Sequence, residues 1–229
     1  MKWILKYLDE TTSTNDVAET LPVGSCVVAK SQTKGRGKCG RSWVSEEGNL
    51  FFSVVLKNFE FKTPLLSFVV ALSVAESLKN FGVTLKWPND VLLNHRKVAG
   101  ILLENKDEKV IAGIGVNTLK LPRGNFLYKT GCLGGQIHND VLLEEILSRL
   151  DYNLELFETK GFIPVRQKWL SFACGLGEKI KICLPNEEII GIFLDLTGEG
   201  LLKLGMENLP CRYVSAGDVF LLTKGNENE

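Results

Sequence analysis

Two spacings of apolar residues alternate along this chain, and each spacing predicts a different kind of element. Apolar residues at every second position, or short β-branched runs, indicate strands. These patterns predict strands at residues 2–8, 25–30, 49–57, 83–87, 91–93, 97–104 and 109–117. Short polar segments such as Asn94-His95-Arg96 join the last four of these strands, so we expect an antiparallel meander there.

Apolar residues three and four positions apart predict helices in the remaining long segments. The clearest helix covers residues 64–81, because Pro64 stands at its start, Gly82 follows its end and a broad apolar face runs between them. Further helices are predicted at residues 140–160 and 164–173, whereas residues 118–139 read as irregular.

The pattern of apolar and polar residues changes in the last quarter of the chain. Short alternating strands separated by Gly, Asn or Pro are predicted at residues 179–184, 188–195, 200–205, 210–214 and 218–222. We therefore expect a first domain at residues 1–175 and a small β domain at residues 176–229, ending in a polar tail at 224–229.

Composition excludes several classes of protein. The 229 residues carry a formal net charge of zero, whereas a nucleic-acid-binding domain is more often basic. Apolar runs are too short to span a bilayer and the first residues are unlike a signal peptide, so we expect a cytoplasmic protein. Six scattered cysteines without C-x-x-C spacing and two histidines show no zinc pattern.

The segment from Lys30 to Trp43 carries the strongest local chemistry. It holds five basic residues, three glycines and one tryptophan, but no acidic residue. Such a loop suits an anion cradle with an aromatic lid, although a solvated flexible loop has the same composition. Its Gly35-x-Gly37-x-x-Gly40 spacing mimics a dinucleotide motif, but a strand rather than a helix is predicted to follow. Cys39 is either made reactive by this basic loop or a bystander.

Other polar clusters stand at predicted strand or helix ends. Ser13-Thr14-Asn15 opens a short predicted helix, where Ser13-x-x-Asp16 resembles a capping box, and its side chains serve either capping or ligand binding. Lys86-Trp87-Pro88-Asn89-Asp90 ends a strand that otherwise reads as buried. Asp90 is a candidate Mg²⁺ ligand or an ordinary turn residue.

Glycines inside predicted strands need a reason, since a side chain is expected there. Gly100, Gly113 and Gly115 therefore predict a bulge or the close approach of another group.

Taken in order, these clusters resemble one family. Ser-Thr-Asn, Gly-Arg-Gly-Lys-x-Gly-Arg-x-Trp, Lys-Trp-Pro-Asn-Asp, Arg-Lys-Val-Ala-Gly-Ile-Leu-x-Glu and Gly-Ile-Gly-Val-Asn follow one another as they do in the biotin protein ligases. The motifs span about residues 7–117, and the small β domain extends the resemblance to nearly the whole chain. The resemblance implies an α/β fold of the α+β type: a mixed-sheet catalytic domain similar to class II tRNA synthetases, with a C-terminal SH3-like β-barrel.

The resemblance also implies a reaction in two steps. Biotin and ATP, with Mg²⁺, would give biotinyl-5′-AMP and pyrophosphate, and a lysine on the biotin carboxyl carrier domain of acetyl-CoA carboxylase would then take the biotinyl group. Family members often form a homodimer. Alternatives are a lipoyl or octanoyl transferase of the same superfold, a regulator that only binds biotin or nucleotide, and a nucleic-acid module.

Site residues carry over from the family position by position. Lys97, Arg36 and Lys38 are the implied catalytic residues, and Asp90 the metal ligand. The implied biotin-binding residues are Ser13, Thr14, Asn15, Gln32, Arg36, Gly37, Lys38, Lys97 and Gly100. The implied ATP- and adenylate-binding residues are Arg41, Trp43, Lys86, Asn89 and Asn117.

Two departures from the family pattern change the expectations. The family usually has Arg where this chain has Lys38, and lysine keeps the charge but lacks the bidentate fork. The chain begins at the first catalytic strand rather than at a winged helix, so we expect no DNA partner, and no membrane partner either.

Overall fold

The computed structural model describes residues 2–124 and 126–222, which form two β-sheets and four α-helices. The first sheet contains β1 (Ile4–Thr11), β2 (Ser25–Gln32), β3 (Leu50–Lys57), β4 (Thr84–Lys86), β5 (Asp90–Leu93), β6 (Arg96–Lys106) and β7 (Lys109–Val116). The helices are α1 (Thr14–Glu19), α2 (Leu66–Ser77), α3 (Asn139–Lys160) and α4 (Phe162–Phe172). The polar tail predicted at residues 224–229 lies outside the described residues.

The first sheet is mixed, as expected. Its strand order is β1-β2-β3-β7-β6-β5-β4. β1 and β2 run parallel, with α1 in the connection between them, and every other neighbouring pair is antiparallel. The four strands β4 to β7 lie side by side in chain order, so the predicted meander is confirmed.

The short helix α1 begins where the sequence predicted, but side chains do not cap its N-terminus in the predicted way. Ser13 is the N-cap residue, yet its side chain makes no capping hydrogen bond. The predicted capping box is therefore wrong. Asp16 instead accepts a hydrogen bond from Thr12 Oγ1 at 3.1 Å and lies 2.7 Å from Arg36 Nη1. The pairing with Arg36 prevails because a charged partner holds a carboxylate more strongly than a backbone N–H does at an exposed helix end.

The helix predicted at residues 64–81 is a buried α-helix between two 3₁₀ turns. The turns are Glu60–Leu65 and Lys79–Phe81, and α2 lies between them. Residues 66–75 are buried on every side, because the first sheet covers one flank of α2 while α3 and α4 cover the other. A helix that is apolar all round is stable only in such a position.

The two faces of the first sheet serve different purposes. In β3 and β7, Val54 and Ala112 point into the large core that contains α2. Ser53 and Gly113 are opposite each other and point to the other face, where α1 covers only a small apolar cluster. Polar side chains cover the rest of this second face, and the site described below lies on it.

The C-terminal strands form a separate antiparallel sheet with the order β11-β10-β9-β8-β12. Its strands are β8 (Lys179–Cys183), β9 (Glu188–Leu196), β10 (Leu202–Met206), β11 (Leu209–Val214) and β12 (Asp218–Leu221). The edge strands β11 and β12 are not paired with each other, so the sheet is open rather than a closed barrel. A domain boundary at residue 175 stays a prediction.

Two side-chain hydrogen bonds, one buried and one partly buried, join this sheet to the first part of the chain. Trp87 Nε1 donates to the carbonyl of Gly200 at 3.2 Å, and Arg166 Nε donates to the carbonyl of Leu196 at 2.5 Å. Among residues 2–124 and 126–222, no helix has the length and apolar character needed to cross a bilayer.

We predict that truncation of Trp169 removes a large part of the stability of the fold. Trp169 is 0% exposed and packs edge-on against Phe68, with ring centroids 5.4 Å apart. Trp169→Ala should lower the free energy of unfolding by about 3–5 kcal/mol, because it leaves a cavity between helix and core. Urea denaturation followed by circular dichroism measures the change.

Ile163→Ala is the matched control on the same helix. Ile163 is 62% exposed, so its truncation should change the free energy of unfolding by less than about 0.5 kcal/mol. Equal losses in the two variants would contradict the packing described for α4.

Candidate functional site

A cavity of about 540 Å³ lies over the polar face of the first sheet and reaches the C-terminal sheet. Every residue that the sequence named as a site candidate lines it. The structure thus brings together clusters that are up to 104 positions apart in the chain, from Ser13 to Asn117. Their individual roles remain predictions.

Glycines form the floor of this cavity. A Cβ atom on Gly115 would collide with the indole of Trp43, and one on Gly100 would lie 2.9 Å from Trp43 Cζ3. A Cβ atom on Gly113 would collide with the Asn15 amide. The predicted close approach is therefore confirmed, and it allows an indole and an amide to lie flat on the sheet.

One end of the cavity is a buried network of small polar groups. Thr14 donates to Gln32 Oε1 from its backbone N–H at 2.8 Å and from its hydroxyl at 3.1 Å. Gln32 Nε2 donates in turn to Ser45 Oγ at 2.8 Å. The Ser53 hydroxyl lies 2.6 Å from Thr14 Oγ1 and 2.5 Å from Asn15 Oδ1. These bonds fix hydroxyl and amide groups that suit a neutral polar ligand.

Arg36 lies at the same end of the cavity, and its charge is paired with the carboxylates of Glu104 and Asp16. Glu104 accepts from Arg36 Nε at 3.1 Å and from Nη2 at 3.0 Å, and Asp16 lies 2.7 Å from Nη1. The Glu104 hydrogen bonds raise the pKa of Arg36. Burial works to raise the pKa of Glu104, but hydrogen bonds from Arg36 and Asn15 outweigh it and lower that pKa. Arg36 therefore anchors the basic loop, which weakens its predicted role in catalysis.

The centre of the cavity is a carboxylate held between two lysines. Asp90 Oδ1 lies 2.6 Å from Lys97 Nζ, and Asp90 Oδ2 lies 3.2 Å from Lys86 Nζ. Burial opposes the charged form of Asp90, yet the two ammonium groups prevail and hold its pKa below the usual range. Burial lowers the pKa of Lys86. Because Asp90 is the first residue of β5, the alternative of an ordinary turn residue does not apply.

The predicted role of Asp90 as a metal ligand finds little support in this arrangement. Both of its oxygens already face ammonium groups. In the described part of the chain, no group of three or more His, Cys, Asp or Glu side chains is placed to hold a metal ion. The role of Asp90 as a metal ligand therefore stays a prediction.

The far end of the cavity is closed by the C-terminal sheet. Arg41 Nη2 lies 2.6 Å from Asp218 Oδ2, and Tyr128 lines the same end of the cavity. Lys86 Nζ stands 3.2 Å from the centroid of the Tyr128 ring, a close cation–π contact. Burial, followed by the Asp218 contacts, raises the pKa of Tyr128.

Tyr128, Asp218 and Glu104 line or border the site without having been predicted from the sequence. Glu104 ended a recognised motif and could have been found there. Arg41 and Asp218 are 177 positions apart, so no local pattern links them.

Two buried polar atoms in the cavity wall have no partner within residues 2–124 and 126–222. They are Asn117 Oδ1, an acceptor, and Trp43 Nε1, a donor. The Asn117 amide is fixed by donation from Nδ2 to the carbonyl of Gly131 at 2.9 Å. An unpaired donor and acceptor in one wall suit a ligand with a polar heterocyclic edge.

Comparison with known proteins decides the family. Residues 6–119 match the biotin/lipoate A/B protein ligase family, and residues 175–222 match the biotin protein ligase C-terminal domain. The biotin–[acetyl-CoA-carboxylase] ligase of Paracoccus denitrificans is 35% identical over 92% of this chain and 99% of its own length. This chain belongs to the biotin protein ligase family.

Other relatives support the same family assignment. The bifunctional ligase/repressor BirA of Bacillus subtilis is 32% identical over 87% of this chain and 69% of its own length. The biotin protein ligase of Aquifex aeolicus, solved in complex with biotin and ATP, superposes with a TM-score of 0.81 at 29% identity, covering 95% of this chain and 99% of that one. The expected α/β fold with a mixed catalytic sheet is confirmed.

We predict that Gly115→Ala displaces Trp43 from the cavity floor. The new methyl group has no room beside the indole, and overpacking of this kind costs about 1–3 kcal/mol. Trp43 should become more accessible to acrylamide quenching, and the free energy of unfolding should fall. Gly198→Ala is the matched control, since a Cβ atom there meets nothing within 4 Å. Unchanged quenching in Gly115→Ala would contradict the contact.

We predict that Asp90→Asn leaves the buried ammonium group of Lys86 and the half-buried one of Lys97 uncompensated. Loss of one member of a buried ion pair costs about 3–5 kcal/mol. The pKa of Lys86 is already lowered by burial, and loss of the carboxylate lowers it further. Because the pKa of Lys86 is lower in the folded protein than in the unfolded chain, the free energy of unfolding rises as the pH rises towards 10.5. The loss of stability in the variant relative to wild type should therefore shrink as the pH rises.

Thermal unfolding of wild type and Asp90→Asn at increasing pH tests this expectation. The control is Glu187→Gln, which removes one side of the exposed Glu187–Arg212 pair and should cost less than about 1 kcal/mol. A deficit in Asp90→Asn that is small, or constant with pH, would show that the central ion cluster is not formed as described.

Proposed function

We propose that this protein activates biotin with ATP to biotinyl-5′-AMP and transfers the biotinyl group to a lysine of a carrier protein. The observation that carries the proposal is the single cavity that gathers all the predicted site residues in a member of this family. Its polar end, cationic centre and aromatic far end match the three parts of the adenylate: biotin, acyl phosphate and adenine.

The polar end is the proposed biotin site. Ser13, Thr14 and Asn15 are at most 4% exposed and can exchange hydrogen bonds with the ureido group of biotin. Gln32 positions Thr14 by accepting two hydrogen bonds from it, and Gly37 and Gly100 also line the cavity.

The cationic centre is the proposed site of carboxylate activation. A carboxylate that attacks the α-phosphate must overcome repulsion between like charges, and fixed cations reduce this repulsion. Lys97 is oriented by Asp90, and its ammonium group lies 5.4 Å from the centroid of the Trp43 ring. Lys97 is therefore the proposed catalytic lysine, with Lys38 and Arg36 in supporting positions.

The aromatic end is the proposed nucleotide site. Trp43 supplies a flat face for adenine, and the unpaired oxygen of Asn117 can accept from its exocyclic amine. Arg41 and Lys86 supply positive charge beside the phosphates. Asn89 acts indirectly, because its side chain donates to the carbonyl of Ile101 at 2.5 Å and so holds β6.

Mg²⁺ is proposed to arrive with the phosphates of ATP, the usual way in which nucleotides bring this ion. The second step needs mainly a positioned neutral amine, since AMP is a good leaving group. The proposed carrier is the biotin carboxyl carrier domain of acetyl-CoA carboxylase, in line with the name of the Paracoccus denitrificans relative. A homodimer and a cytoplasmic location remain predictions.

A lipoyl or octanoyl transferase is the second candidate, because the matching family description includes lipoate ligases. The presence of the biotin protein ligase C-terminal domain at residues 175–222 favours biotin. Biotin-dependent exchange of pyrophosphate into ATP separates the two, since a lipoate enzyme would not respond to biotin.

We predict that Lys97→Ala lowers biotin-dependent ATP–pyrophosphate exchange by about 100-fold or more, because it removes the charge that stabilises the transition state. Biotin should still bind, and a carrier domain incubated with biotin, ATP and Mg²⁺ should gain no biotinyl group by mass spectrometry. Lys106→Ala is the control, since Lys106 also lies on β6 but pairs with Glu19 away from the cavity. Wild-type protein that leaves the carrier unmodified would refute the proposed function.

A further inference from the structure

Ser53 and Glu104 hold the two ends of the Asn15 amide, and neither is among the described residues that line the cavity. Asn15 Nδ2 donates to Glu104 Oε2 at 3.0 Å, and Asn15 Oδ1 lies 2.5 Å from Ser53 Oγ. Because an ionised carboxylate only accepts hydrogen bonds, Glu104 determines which end of the amide faces it. The amide oxygen is thereby directed at Ser53.

Arg36 keeps Glu104 in the ionised form that this orientation requires. Arg36 Nε donates to Oε1 of Glu104 at 3.1 Å, and Nη2 donates to Oε2 at 3.0 Å. Burial acts to raise the pKa of Glu104. The hydrogen bonds from Arg36 and Asn15 and the positive charges of Arg36 and Lys106 outweigh burial, so that the pKa is lowered. The Asn15 amide therefore has a charged acceptor at one end and a hydroxyl donor at the other.

The orientation of Asn15 sets the direction of the hydrogen bonds behind it. Ser53 has one hydroxyl proton, and Asn15 Oδ1 can only accept, so Ser53 donates to Asn15. The hydroxyl proton of Thr14 has two acceptors within reach, Ser53 Oγ at 2.6 Å and Gln32 Oε1 at 3.1 Å. Gln32 Oε1 also accepts the backbone N–H of Thr14 at 2.8 Å, so Thr14 can donate to Ser53 without leaving Gln32 unpaired. The Thr14 hydroxyl thus begins a chain of donors that ends on the charge of Glu104.

This direction decides what Thr14 offers to a ligand. Thr14 lines the cavity, and when its proton is given to Ser53, both lone pairs of Thr14 Oγ1 remain available as acceptors. A hydroxyl that donates within a chain also accepts more strongly, because hydrogen bonds in series polarise one another. The N–H groups of a cyclic urea are matching donors.

We propose that Ser53 and Glu104 are positioning residues for biotin, which orient Asn15 and Thr14 without touching the ligand so that Thr14 Oγ1 accepts a ureido N–H. The inference rests on the proposed function, since it places biotin at the polar end of the cavity. The same carboxylate of Glu104 also anchors Arg36, so orientation of the biotin site and attachment of the basic loop depend on one residue.

Glu104→Gln tests the direction of the chain. A glutamine side chain has nearly the same shape as glutamate but carries a donor as well as an acceptor, so the Asn15 amide can turn over and present its nitrogen to Ser53. Ser53 would then donate to Thr14 and occupy one of its lone pairs. In biotin-dependent ATP–pyrophosphate exchange, we expect KM for biotin to rise about tenfold, the effect of losing about one net hydrogen bond. The value of kcat should stay within about threefold of wild type, and KM for ATP should not change.

Ser53→Ala separates the hydrogen-bond chain from the ion pair, because it leaves the contacts between Arg36 and Glu104 in place. Ser53 is 0% exposed, and its side chain bonds to Thr14 and Asn15. We expect KM for biotin to rise by a similar factor of about ten. Because both variants interrupt one chain, the double variant should also be weakened by about tenfold, rather than by the product of about a hundredfold that independent effects would give.

Glu19→Gln is the matched control. It removes the Glu19–Lys106 ion pair, which also joins α1 to β6 but lies away from the cavity. KM for biotin should therefore stay within about twofold of wild type. An unfolded fraction in any variant lowers kcat and leaves KM unchanged, so loss of folded protein is not mistaken for the expected effect.

Titration calorimetry with biotin alone should give the same ratios between variants as Kd values. Equal Kd and KM values for biotin in wild type and either single variant, or a double variant weakened by about a hundredfold, would overturn the inference. Wild-type protein that binds biotin with the expected dependence on Ser53 and Glu104 but shows no pyrophosphate exchange would count against the proposed function and support the inference.

Discussion

The carboxylate of Asp90, buried between Lys86 and Lys97, is the interaction on which the rest of the site depends. Each of the three residues comes from a different strand, β5, β4 and β6, and these strands are neighbours in the sheet. Two ammonium groups so close together would repel each other without the carboxylate. The carboxylate thus allows two lysine ammonium groups to lie close together in the cavity. It also fixes the position of the Lys97 ammonium group there.

The flat floor is the second requirement of the site. Gly100, Gly113 and Gly115 allow Trp43 and Asn15 to lie directly on the strands, so the basic loop and α1 approach the sheet from above. Arg36 then ties the loop to Glu104 of β6, while Arg41 ties it to Asp218 of β12. Two ion pairs, at Arg36 and Arg41, therefore hold the loop, and the indole of Trp43 holds its last residue against the sheet. These contacts give a strongly basic segment a defined path.

Sequence patterns predicted most of the strands and helices, because alternation and helical periodicity are local properties. They also predicted that the strand glycines meet close neighbours. They failed where the outcome depends on distant partners: Asp16 was expected to cap α1 but pairs with Arg36, and the helix expected at residues 64–81 breaks into three pieces. Tyr128 and Asp218 could not be found, since only the packing of the C-terminal sheet brings them to Arg41.

The contact between Arg41 and Asp218 has a consequence for the order in which the site comes into existence. The ribosome makes the polar end and the cationic centre of the cavity first, and the wall formed by residues 215–219 last. A growing chain can fold its first sheet early, since domains fold as units during synthesis. The cavity nevertheless stays open on one side until the final strand has paired with β8. Completion of the cavity therefore waits until β12 has been made and has paired with β8.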